Sequence, residues 1–260
     1  MRLAVFSDIH GNLSAFQAML ADFRSAGSFD QIWCLGDLAV GGTRPNECLS
    51  VLRELQEQYG KVNFKVIGGN TDRYLVTGKR SEVPSASDED AFLKRKQSFA
   101  QRDAMIIWTL EQIEWVNYDF VAKTLGRELS LKVKDYGQII GFHAIPGDDE
   151  PTSLLPTSPA EEASDALLDR QGRLALAGHT HQVMDRSLGN WRVINAGSVG
   201  FSFTQYGVAE WAIITVEDGE AQVDFRNVPY DVDEFISDIR TVDHPTPDNV
   251  LSLLNRAKGN

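Results

Sequence analysis

Apolar residues run unbroken from Leu3 to Phe6, and then the period changes: Leu13, Phe16, Met19, Leu20 and Phe23 recur three or four apart until Gly27. The first pattern predicts a short buried strand over residues 2–7 and the second an amphipathic helix. The alternation repeats at once. Residues 31–35 are strand-like, residues 36–44 form a loop, and Pro45 sits where a helix begins, with Leu49, Leu52 and Leu55 on one face. A third strand, 63–67, runs into Gly68, Gly69 and Asn70. Strands alternating with helices imply βαβ units and a sheet that is at least partly parallel.

From residue 79 to about 124 the chain turns charged and helical, with Phe92, Phe99, Ile106, Trp108, Leu110, Ile113 and Trp115 spaced among polar residues. No chemistry is evident there, so this stretch reads as a helical insertion or cap beside the core, its apolar residues serving as packing. Strands return over 129–133 and 138–142. A Pro- and Asp-rich loop (145–159), a helix (160–170) and a strand (174–177) follow. Strands over 191–194, 210–216 and 221–227 read as a meander, and helices over 231–240 and 247–258 close the chain. There is no internal repeat or low-complexity linker. Residues 1–260 therefore read as a single domain, with residues 79–124 inserted in it.

Composition narrows the function classes. Of 260 residues, 42% are hydrophobic and 24% charged, ordinary for a soluble globular protein. The net charge of −12 repels polyanions, so no extended nucleic-acid surface is expected, although bound metals can create a local cationic site. The apolar run before Asp8 and His10 is too short for a signal peptide, and no later run approaches the length of a membrane span. The expectation is a cytoplasmic protein with no membrane partner. Cys34 and Cys48 lack metal-binding spacing and read as two reduced thiols. The sequence assigns no oligomeric state.

The chemistry gathers at strand ends. Asp8 and His10, Asp37, Asn70, His143, and His179 with His181 each fall just past a predicted strand, where ligands collect in α/β sheets. Four of the five histidines occupy such positions. One histidine there is usually a hydrogen-bonded structural residue; four beside two aspartates point to metal. Imidazole and carboxylate donors without thiolate suit Mn or Fe first, with Zn, Ni or Co as alternatives. Seven ligands exceed the needs of one ion and match two ions that share a carboxylate and keep positions open for water and substrate.

Asp8-Ile9-His10, Gly36-Asp37, Gly69-Asn70, a separate His143 and Gly178-His179-Thr180-His181, in that order, resemble the signature of calcineurin-like metallophosphoesterases. The stretch from Asn195 to Gly200 and the loop from Val40 to Asn46 are similar to those of the compact bacterial phosphodiesterases and phosphatases. The resemblance spans about residues 3 to 200. It implies an α/β fold, a two-sheet α/β/β/α sandwich. It also implies that Asp8, His10 and His181 hold a first divalent ion, that Asn70, His143 and His179 hold a second, and that Asp37 bridges them.

The function it implies is hydrolysis of a small phosphate-ester substrate, most simply by a phosphodiesterase. Two ions bring about +4 against about −2 from two carboxylates, leaving a positive site in an acidic protein. They also lower the pKa of bound water from about 15.7 towards roughly 7, giving a hydroxide nucleophile. Arg73, just past Asn70, is a candidate catalytic and substrate-binding residue whose planar fork suits phosphate oxygens, with Arg44 a weaker candidate.

One position departs from the resemblance. Many members of the family carry a histidine directly after the metal-binding asparagine, where it assists the leaving group. This chain has Thr71, a candidate substrate contact, followed by Asp72, a candidate catalytic residue. Without that imidazole, diesters, activated esters or pyrophosphate bonds are favoured over phosphoproteins. The competing readings are a phosphomonoesterase for a nucleotide or phosphoprotein, and a noncatalytic metal-bound scaffold that presents the insertion to a partner.

Overall fold

In the computed structural model, which describes residues 1–126 and 128–259, β1 (Arg2–Phe6) is apolar and buried from Leu3 onward because both of its faces are covered. Leu3 and Val5 point into the space between two sheets, and Ala4 and Phe6 point outward beneath helices. It pairs in parallel with β2 (Gln31–Cys34), which pairs in parallel with β3 (Phe64–Val66). On its other side it pairs antiparallel with β9 (Val208–Glu217), which forms a hairpin with β10 (Glu220–Pro229). This first sheet has the order β10-β9-β1-β2-β3.

The second sheet contains β4 (Leu129–Val133), β5 (Gly137–Gly141), β6 (Leu174–Ala177), β7 (Val183–Leu188) and β8 (Trp191–Ala196), in the order β4-β5-β6-β8-β7. Trp33, Leu35, Ile139, Leu174, Leu176 and Ile214 fill the space between the sheets. α1 (Leu13–Ser25) and α2 (Pro45–Tyr59) cover the first sheet through Phe16, Met19, Cys48 and Leu52. α6 (Ala160–Asp165) covers the second sheet, with Ala163 and Leu167 against Ala175 and Val193. The layers are α/β/β/α and both sheets are mixed, as expected. No helix among the described residues is long and apolar enough to cross a membrane.

Three expectations need correction. The late strands are not one meander: β8 pairs with β6 and β7 in the second sheet, whereas β9 and β10 belong to the first. The connection from β8 to β9 crosses the end of the sandwich, held by Val199 N–H to Ser7 O and Gly200 N–H to Asp8 O. Alternation records burial, and strands of either sheet are equally buried. β7 and the helix α3 (Asn70–Thr77) were not anticipated, and the helices expected over 160–170 and 247–258 end earlier, at Asp165 and Leu254.

Residues 79–124 include α4 (Glu89–Gln112) and α5 (Trp115–Ala122). Ile106 packs on Val40, Tyr74 and Leu75, so α4 buttresses the loop after β2. Not all of the apolar residues there are packing: Phe92, Leu110 and Trp115 remain 56%, 44% and 75% exposed. α4 packs on α2 and α3, and its Trp108 lies against His244.

Candidate metal centre

The strand order sets β1, β2 and β3 side by side and parallel, and β5 beside β6. All seven candidate ligands lie just past the carboxyl ends of these strands. The chain then bends sharply: Asp8, His10, Asp37, His179 and His181 have φ between 51° and 67°, the left-handed region. For residues with a Cβ that conformation costs roughly 1–2 kcal/mol each, and such strain gathers at functional sites. Backbone bonds hold the bends, among them His10 N–H to Asp37 O at 2.9 Å and Phe203 N–H to His181 O at 2.9 Å. Gly69 permits a close approach, since a Cβ there would lie 2.3 Å from Asp37 Oδ1 and 2.6 Å from His143 Nε2.

Each of the four histidines spends one ring nitrogen on a backbone carbonyl. His10 Nδ1 donates to Val40 O at 2.6 Å, His143 Nδ1 to Leu35 O at 2.7 Å, His181 Nδ1 to Phe201 O at 2.7 Å and His179 Nε2 to Glu150 O at 3.0 Å. A carbonyl only accepts, so these bonds fix the tautomers and aim the other nitrogens inward. His10 Nε2 and His181 Nε2 face each other at 3.0 Å. His143 Nε2 and His179 Nδ1 each lie 3.1 Å from Asn70 Oδ1. Asp37 Oδ2 is 3.5 Å from both His10 Nε2 and His143 Nε2, while Asp8 Oδ1 is 3.4 Å from His181 Nε2.

In neutral tautomers this is a convergence of lone pairs with no donors among them, which only protons or cations can hold together. The donor set therefore fits divalent cations. Asp8, His10 and His181 have ligand atoms within 4.8 Å of one another, as do Asp8, Asp37 and His143.

Electrostatics say the same. Burial disfavours a charge on His143, yet Asp37 beside it raises its pKa to about 10. Burial likewise opposes His181, and Asp8 overrides it upward. Burial pushes Asp37 up, but His143 and His10 hold it far below the carboxylate range. His10 and His179 are lowered, chiefly by burial. Protons on His143 and His181 thus answer the demand that divalent cations would meet more fully.

The other expected residues lie around this cluster. Asp72 is fully buried and accepts from Leu38 N–H at 3.0 Å and Gly69 N–H at 2.9 Å, clamping the loops after β2 and β3 rather than facing a substrate; burial, then Asp37, raises its pKa to about 7. Thr71 Oγ1 donates to Asp37 Oδ1 at 2.8 Å. Arg73 is already engaged, by Asp149 at 2.7 and 2.9 Å and by Glu150. Arg44 pairs with Asp238. Arg73, Lys79, Arg80 and His143 border a cavity of about 690 Å³. Cys34 and Cys48 are free and buried.

Sequence reasoning missed the carbonyls that orient the histidines, as well as Ser7, whose hydroxyl donates to Asp8 Oδ2 at 2.5 Å, and Ser198, whose hydroxyl donates to Asp8 O at 2.9 Å. Asn195, inside the stretch that carried the resemblance, ties the His179–His181 turn through Gly178 O at 2.6 Å. Carbonyl partners leave no mark in a sequence, because every residue supplies one.

Comparison with known proteins bears on the fold and the family. An uncharacterized protein of Methanocaldococcus jannaschii is 29% identical over 246 residues, 88% of each chain. The crystal structure of a hypothetical protein from Pyrococcus horikoshii has the same fold, with a TM-score of 0.79 at 21% identity over 97% of each chain. That of a metallophosphoesterase from Sphaerobacter thermophilus superposes with a TM-score of 0.68 at 22% identity over 99% of each chain. The family model of the calcineurin-like phosphoesterase superfamily domain matches residues 1–219, a span that holds every residue of the cluster, and the chain belongs to that superfamily.

Proposed function

We propose that this chain is a dinuclear metal-dependent hydrolase of phosphate esters, with diesters and esters of stable leaving groups as its preferred class. One observation carries the reading: four histidines, each fixed by a backbone carbonyl, turn their free nitrogens onto Asp8, Asp37 and Asn70. Asp8, His10 and His181 would hold one cation, Asn70, His143 and His179 the other, and Asp37 both. Mn or Fe suits these donors best. Bound there, the cations supply positive charge for phosphoryl oxygens and an acidified water as nucleophile.

The protein's own contribution is orientation. Leu35 O, Val40 O, Glu150 O and Phe201 O hold one ring proton of each imidazole on the outward nitrogen, so that the inward nitrogen would be free to meet a cation, and Asp72 keeps the loops after β2 and β3 together. Arg73 and His143 line the same cavity, and Arg73 would reach a phosphate oxygen there by releasing a carboxylate. A cavity of about 690 Å³ suits a small molecule. His244 is packed against Trp108 and lies outside the cluster, and the Thr71 hydroxyl proton is committed to Asp37. No imidazole is then left for a leaving alkoxide. The free thiols of Cys34 and Cys48 support a cytoplasmic setting.

The test is hydrolysis of bis-para-nitrophenyl phosphate against para-nitrophenyl phosphate with saturating Mn. The diester should turn over faster; a clear preference for the monoester overturns the substrate class. The exposed Phe92, Leu110 and Trp115 favour a second reading, an interaction scaffold. Protein that holds two metals and hydrolyses no phosphate ester would establish that alternative.

A further inference from the structure

We infer that Thr71 is a positioning residue that aims the bridging oxygen of Asp37, an inference that rests on the dinuclear site proposed above. The two oxygens of Asp37 have different surroundings. Oδ1 receives both Thr71 N–H at 2.9 Å and Thr71 Oγ1–H at 2.8 Å. Oδ2 receives neither and lies 3.5 Å from His10 Nε2 and 3.5 Å from His143 Nε2, one from each half of the site. Two donors from one residue on one oxygen stop the carboxylate from rotating and leave Oδ2 between the two half-sites.

The N–H comes with any residue but proline at this position near the start of α3; the hydroxyl is what this sequence chose. Thr71 is β-branched, so its hydroxyl has few rotamers to lose, and it bonds Asp37 rather than a carbonyl of the preceding turn. Its neighbours grip the same loop. Asn70 Oδ1 faces His143 and His179, while Asp72 accepts from Leu38 N–H, directly after Asp37. The residue that replaces a histidine in the resemblance has thus been given to the metal ligand rather than to the leaving group.

The experiment compares Thr71→Val and Thr71→Ser in the full chain by calorimetric titration with Mn, by the exchange-coupled spectrum of the Mn pair, and by circular dichroism of the metal-free proteins. Thr71→Val keeps the shape and loses the donor. It should fold, bind the second ion 10–100-fold more weakly, the usual loss when an outer-shell partner of a ligand is removed, and show weaker exchange coupling. Thr71→Ser should stay within about threefold of the parent, because it retains the donor. If valine prevents folding, Thr71→Ala carries the same comparison.

Parental affinity and coupling in Thr71→Val would overturn the inference. So would equal impairment of Thr71→Ser and Thr71→Val, since the hydroxyl would then be irrelevant. A parent protein that binds two Mn ions and hydrolyses no ester overturns the proposed reaction alone, and the binding comparison still decides the role of Thr71. A parent that binds fewer than two overturns both.

Discussion

Asp37→Asn removes one negative charge from between two sets of histidines while leaving an oxygen that can accept from Thr71 N–H and Oγ1–H, so the loop should keep its shape. Its size follows from the geometry. Asp37 Oδ2 serves His10 Nε2 and His143 Nε2 at equal distances of 3.5 Å, whereas each histidine faces one half-site. Removing one partner from a buried charged cluster costs about 3–5 kcal/mol, roughly 10²- to 10⁴-fold in a binding constant. Asp37→Asn should therefore weaken Mn binding and turnover more than His10→Ala or His143→Ala does.

The metal-free protein offers a second reading of the same substitution. His143 has a pKa near 10 chiefly because Asp37 outweighs burial, with Asp8 and the Leu35 carbonyl adding to it, and with the Asp37 charge gone burial should bring it down towards the ordinary imidazole value. Calorimetric titration with Mn measures the first effect, and a pH titration of the histidine ring protons by NMR measures the second. A His143 midpoint still near 10 in Asp37→Asn would refute the electrostatic account. Losses no larger than those of the single histidine variants would refute the shared carboxylate.

The remaining predictions concern neighbours of the site. Thr71→His, assayed at saturating Mn because it gives up the hydroxyl bond to Asp37, should raise turnover of alkyl phosphates by about 10²-fold and leave para-nitrophenyl esters little changed. An equal gain on both substrates would mean repacking instead. Asp149→Asn with Glu150→Gln should release Arg73 and tighten inhibition by inorganic phosphate about tenfold, a charge-assisted bond being worth roughly 1.5–3 kcal/mol. Unchanged inhibition would mean that Arg73 does not reach phosphate. Glu210 is fully buried with Oε1 unpartnered, and burial raises its pKa from 4.5 to about 7. Between those values the folded state keeps a proton that the unfolded state has lost, so stability should fall by about 3 kcal/mol as pH rises from 4.5 to about 7. Glu210→Gln should remove that slope in denaturant unfolding of the metal-free protein at pH 5 and pH 8; an identical slope would place the titration elsewhere.

The chain's own pattern determined the βαβ alternation over β1 to β3, the helical character of most of residues 79–124, from Glu89 to Ala122, and the identity of the residues that converge. Those features are local: a strand covered on both faces is largely apolar, and imidazole, carboxylate and amide side chains at strand ends stand out by their chemistry. Tertiary structure alone decided the rest. It assigned β8 to one sheet and β9 to the other, since burial looks alike in both, and it left Phe92, Leu110 and Trp115 exposed although their spacing resembled packing. Arg73 met Asp149 and Glu150, and the Thr71 hydroxyl met Asp37, because residues 76, 77 and 34 positions apart in the chain become neighbours only when the loops fold over one site. The tautomers of the four histidines were also beyond the sequence. They depend on carbonyl oxygens of Leu35, Val40, Glu150 and Phe201, and a carbonyl's partner is set by the path of the backbone rather than by the side chain it carries.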